Sequence, residues 1–203
     1  MSRWLSYVLL PLALFGLRIS SFLAVAEAAD DSISQQLLQV CLGPQQDKGL
    51  LQKILSQDGS ENVNLNIKDP RSGQTPLMAS VLRGRDDFVR ILLDHGADAS
   101  IPEKDGYTPP HGAAFQGRKE VLKILIEKGV FNHEFHKDGY LPFHRACWGK
   151  TPRHSDFVDY MLSEGLVKHD VPAKDGRTCR DMTKNPETIK VLEKYEARKE
   201  QEF

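Results

Sequence analysis

One spacing constrains this chain more than any other feature. Thr75-Pro76, Thr108-Pro109 and Leu141-Pro142 recur every 33 residues, as do Gly73, Gly106 and Gly139. The small-residue pairs Ala79-Ser80, Ala113-Ala114 and Ala146-Cys147 keep close to that period. Gly96 and Gly129 are 33 apart, and Gly165 follows after 36. Self-similarity of this kind marks stacked supersecondary units, none of which can bury its apolar face alone.

The stretch DGYTPPHGAAFQG, residues 105–117, shows how one unit is written. Asp105-Gly106 is a tight-turn pair, in which glycine tolerates the left-handed backbone. Thr108 can cap a helix with its hydroxyl. Pro109 suits the first helical position, where its missing N–H costs nothing. Gly117 and Gly129 fit the left-handed position just past a helix end. Between them Val121, Leu122, Ile124, Leu125 and Ile126 supply the apolar body of a second helix. Ahead of the regular units, Ile33, Leu37, Val40 and Cys41 fall on one helical face, and Gly43-Pro44 stops that helix. The chain thus divides into an apolar segment at 1–28 and a helical repeat domain at 30–203. The latter comprises a divergent first pair at 33–70, units at about 72–104, 105–137 and 138–174, and a charged capping unit at 175–203. No β-sheet core is expected.

The strings TPLMASVLRG…VRILLDHGADAS, TPPHGAAFQGRKEVLKILIEKG and LPFHRACWG resemble ankyrin repeats over roughly residues 72–170. The resemblance implies an all-α, ankyrin-type helix-turn-helix solenoid. It implies a concave face of turn tips and first helices that binds a protein partner, and a scaffold role for His111 in hydrogen-bonding backbone between units. The departures from the pattern predict modest stability. Met78 stands where the histidine belongs, and Leu141 replaces a capping Thr at a cost of about 1 kcal/mol. Pro110 and Gly112 replace leucines, and glycine inside a helix costs about 1 kcal/mol against alanine.

The N-terminus differs in kind. Arg3 precedes an apolar run from Trp4 to Leu17, and Ala24-Val25-Ala26 and Ala26-Glu27-Ala28 offer small-residue cleavage sites. That is the pattern of a secretory signal peptide. It predicts a secreted or luminal protein (periplasmic in a bacterium). The alternative is an uncleaved single-pass anchor, which would make the chain a membrane-tethered scaffold. Arg18 opposes that, since a central Arg costs about 2.5–3.5 kcal/mol of insertion free energy. Arg3, Arg18 and Glu27 give the first 28 residues +1, leaving −2 for the rest of a chain whose net charge is −1. Such a balance carries no electrostatic footprint for nucleic acid. Cys41, Cys147 and Cys179 make no disulfide framework, although one bridge stays open as a possibility.

Catalytic patterns are thin. His133, His136, His144 and Cys147 could be imagined as the cluster of a small hydrolase or metal-dependent enzyme, but they lack a four-ligand zinc spacing and an orienting acid. His133, His136 and His154 are expected to be exposed, and Cys147 to fill a small buried position. GKTPR at 149–153 lacks the glycine spacing of a phosphate loop and is expected to be an insertion between helices. No enzyme activity, cofactor or metal is therefore expected.

The positions free to vary are more informative. The residue before the Thr-Pro position is Gln74, Tyr107, Tyr140 and Arg177 in turn, and the residue after the small pair is Val81, Phe115 and Trp148. Two neighbouring units thus place a tyrosine and a second large aromatic 33 residues apart. Aromatics often dominate binding energy. Tyr107, Phe115, Tyr140 and Trp148 are therefore expected to form one partly exposed cluster for a protein partner. Lys104 and Lys137 would frame it and steer acidic groups, with Lys174 and Arg177 adding orientation.

Overall fold

The computed structural model describes residues 32–56 and 63–201. The expectations for residues 1–28 lie outside the described residues. Among the described residues ten helices run in chain order: α1 (32–42), α2 (Lys48–Ser56), α3 (Pro76–Arg83), α4 (Asp86–Asp94), α5 (Pro109–Phe115), α6 (Lys119–Glu127), α7 (Pro142–Cys147), α8 (Pro152–Ser163), α9 (Cys179–Met182) and α10 (Pro186–Gln201). There is no strand among the described residues. The fold is the all-helical solenoid that the 33-residue period predicts. None of the described helices is long and apolar enough to cross a membrane.

The helices form two layers. The short helices α3, α5, α7 and α9 stack in one row, and the longer α4, α6, α8 and α10 in the other. Fully buried Leu77, Phe88, Leu92, Leu122, Leu125, Phe143, Phe157 and Met161 make one continuous core between the rows. The close spacing of the first row depends on small side chains: Ala79, Ala113, Ala114 and Ala146 are completely buried.

Local chemistry sets the start and end of each helix. Thr75 is extended, and its hydroxyl accepts the Met78 N–H at 3.2 Å, with Pro76 at the first helical position. Thr108 bonds the His111 ring instead, Oγ1 to Nδ1 at 2.9 Å. Leu141 has no hydroxyl to offer, and there His144 Nδ1 accepts the Leu141 backbone N–H at 3.1 Å. The imidazole thus recovers part of the order lost with the missing threonine. Gly117 ends α5 at φ 63°, and a Cβ there would lie 2.9 Å from the backbone carbon of Arg153. Both the conformation and the space require glycine.

A second device, invisible in the period, ties the units together. Helices leave their last carbonyls unsatisfied, and here a side chain from the following unit reaches them. Arg85 donates to the Val40 and Cys41 carbonyls at 2.9 and 3.1 Å and also to that of Gly43. Arg118 reaches Leu82 O at 3.3 Å, and His154 Nε2 contacts Phe115 O at 3.0 Å. Asn185 donates to Gly149 O at 3.2 Å.

Two expectations are corrected by these contacts. GKTPR is not a plain insertion: Pro152 opens α8, with Thr151 Oγ1 at 2.7 Å from His154 Nδ1. Thr151-Pro152-Arg153-His154 therefore repeats the logic of Thr108-Pro109-Pro110-His111 one helix later. His154 is buried, not exposed. His136 is buried as well, because its ring lies under Tyr107 and its Nε2 contacts Asp105 O at 3.1 Å. His133 is partly buried.

Cys147 and Cys179 form a disulfide with Cα atoms 5.4 Å apart, joining α7 to α9, while Cys41 is free and buried.

Candidate functional site

The turn tips project the candidate residues. At each tip a backbone pair closes the turn, as Glu103 N to Tyr107 O at 3.0 Å and His136 N to Tyr140 O at 3.0 Å. The tips are zipped to one another, with Lys104 N donating to Ser72 O at 3.1 Å and Lys174 N to Gly139 O at 3.0 Å. This places Tyr107 and Tyr140 at equivalent points of successive units.

Between them stands a residue the sequence reading passed over. Arg145, on α7, lies with its guanidinium carbon 4.7 Å from the Tyr107 ring, 4.9 Å from Trp148 and 5.4 Å from Tyr140. It donates to Tyr107 Oη at 3.0 Å and pairs with Asp138, and Tyr107 Oη donates to the same carboxylate at 3.2 Å. Burial acts to raise the Asp138 pKa, but hydrogen bonds from His136 and Arg145 outweigh it and hold the carboxyl down at about 2. Tyr140 and Trp148 meet edge to face at 4.7 Å. Cation–π contact with a partly desolvated Arg contributes about 1–2 kcal/mol, so Arg145 acts as the clasp that aligns the three rings.

Tyr107, Tyr140 and Trp148 are accordingly half-buried, and the structure brings them together around Arg145. Phe115 stands apart from that stack. It is 59% exposed, the most exposed large apolar side chain among the described residues. It walls a groove of about 210 Å³ that runs over α3 and α5, with Met78, Leu82 and Gly112 as the floor and Tyr107 and Arg145 on the far side. Gly112 lets Met78 and Leu82 pack directly on α5, since a Cβ there would lie 2.9 Å from Met78 Cε. Two departures from the repeat pattern, Met78 and Gly112, thus meet each other in the lining of the groove. Lys104 and Lys137 are exposed at the tips but do not line it; its rim carries Glu103 and Asp105.

The His/Cys cluster has a structural account. His144 is fully buried, with Nδ1 accepting from Leu141 N and Nε2 contacting Val171 O at 3.1 Å. Burial lowers its pKa. Cys147 is held in the disulfide and has no exposed surface, so a Cys147–His144 dyad has no free thiol. No group of three His, Cys, Asp or Glu among the described residues is arranged to hold a metal.

A stack of turn-and-helix-pair units with its aromatics displayed along one row of turn tips is a repeat scaffold. The family model for ankyrin repeats (3 copies) matches residues 37–136 and 96–175. The chain belongs to the ankyrin-repeat family. Arrays of this family generally mediate protein–protein interaction and are typically not enzymes.

Proposed function

We propose that the chain is a non-enzymatic interaction module whose concave face, around Tyr107, Phe115, Tyr140 and Trp148, recognises a protein partner. The observation that carries this reading is the Arg145-clasped aromatic row beside the exposed Phe115. Rigid aromatic surface set next to an unfilled groove is where binding energy concentrates. Lys104 and Lys137 stand outside the groove, where they orient acidic groups of the partner by long-range attraction. The setting is the secretory route, with residues 1–28 as a signal or, if retained, a membrane tether. The buried Cys147–Cys179 bond supports this, since disulfides persist in oxidising compartments. Sequencing the N-terminus of the mature chain tests it, and Met1 found on a soluble, non-membrane form contradicts both versions.

Affinity capture with the wild type and with Phe115→Ala and Trp148→Ala tests the face itself. Each substitution is expected to weaken the captured partner by about 2 kcal/mol, roughly thirtyfold. Phe115→Ala should leave stability within about 0.5 kcal/mol, as exposed positions do. Trp148 is half-buried, so its removal should cost less than about 2 kcal/mol of stability. A loss of about 3–5 kcal/mol with binding unchanged would make Trp148 a core residue.

A further inference from the structure

The groove over α3 and α5 is apolar inside and charged at its mouth. Met78 and Leu82, packed against Gly112, line its inner side, and the exposed Phe115 lines its outer side. At about 210 Å³ it falls below the roughly 300–1,000 Å³ of sites that enclose a drug-sized ligand, and suits one large side chain. The mouth carries Glu103 and Asp105. Glu103 Oε1 accepts the N–H groups of Asp105 and Tyr107 at 3.0 and 3.3 Å, which fixes that carboxylate at the turn. Among the described residues neither Glu103 nor Asp105 forms an ion pair. Arg145, the cation beside them, is paired with Asp138. Two uncompensated carboxylates therefore border an apolar hole.

We propose that this groove takes a partner segment in which a large apolar side chain anchors against Met78, Leu82 and Phe115 and a neighbouring lysine or arginine meets Glu103 and Asp105. The proposal rests on the protein-binding reading of this face and adds the chemistry of the occupant. A long basic side chain lays its methylenes along apolar surface while its head stays at the wet rim, so one short segment satisfies both parts of the site. A segment with an acid beside the anchor would meet two carboxylates and be rejected by repulsion.

The test is a random peptide phage library panned on the full chain and counter-selected on the chain carrying Glu103→Gln and Asp105→Asn. Both amides keep the oxygen acceptors of the turn, and an unchanged melt verifies the fold of the variant. Selected peptides are expected to carry Leu, Phe, Met or Trp within two positions of Lys or Arg. Their binding should fall at least tenfold in the double variant and in Phe115→Ala. Enrichment of acidic peptides, or of none, overturns the proposal. If acidic peptides are selected and depend on Trp148, the protein-binding reading stands and only the occupant is wrong. Peptides indifferent to every substitution on this face remove both.

Discussion

Breaking the Cys147–Cys179 bond is expected to lower stability by about 3–4 kcal/mol, the loop-closure value for a bridge spanning about thirty residues. The two cysteines are 32 apart in sequence and completely buried. In a stacked array each unit holds only its neighbours, and this bond ties the short α9 to α7. The damage should therefore fall first on α9 and α10. A thermal melt of Cys147→Ala/Cys179→Ala should drop by roughly 6–15 °C, and hydrogen exchange should rise in the last two helices before the rest. Thiol titration adds a count. The unreduced, denatured chain should expose one thiol, that of Cys41. In the folded protein that thiol should react slowly, because burial pushes its pKa up to about 11. Three reactive thiols in the unreduced, denatured chain contradict the bridge.

Acid should destabilise the fold well above the range where carboxylates protonate. Burial, with some repulsion from His136, pushes the pKa of His111 down to about 4, against about 6.5 for an unfolded histidine. The unfolded chain thus binds the proton more readily, and stability falls as pH drops from about 6.5 towards 4. The contribution is fully present above pH 6.5. About 2 kcal/mol of it is lost by pH 5 and about 3 kcal/mol below pH 4. His133 and His144 are shifted in the same direction by burial and add to the slope. Asp138 works in another window: its carboxyl is held down at about 2, so its contribution is lost only as pH falls below the ordinary aspartate range. Urea unfolding at pH 7.5 and pH 5 measures the effect. His111→Asn should be less stable at pH 7.5 yet show a flatter dependence, and a wild type equally stable at both values contradicts the account.

The period was enough to predict the alternation of turns and helices because each unit repeats the same local solutions: a Gly turn, a Thr-Pro start, small residues on the inner helix. Features that depend on how units lie against one another were less legible. Cys147 ends α7 and Cys179 opens α9, so they are not equivalent positions, and their pairing depends on a stacking offset that a 33-residue comparison does not contain. The carbonyl ties of Arg85, Arg118 and His154 are also inter-unit contacts. For His154 a signal did exist, since Thr-Pro-Arg-His at 151–154 copies Thr-Pro-Pro-His at 108–111. At the candidate site the aromatic positions were visible from spacing, whereas Arg145 was not, because its role lies in touching three rings from two units. The lysines of the tips drew attention as long charged side chains, yet the acids of the same turns border the groove.

The central claim, that this face is where a partner binds, is tested most directly by photo-crosslinking in cells. A photoreactive phenylalanine analogue is placed at Phe115, and in a second chain at Lys190, an exposed position on α10 in the other helix row. The account predicts a discrete protein adduct from position 115 that Trp148→Ala diminishes, and no matching adduct from position 190. The same adduct from position 190 with none from 115 contradicts it.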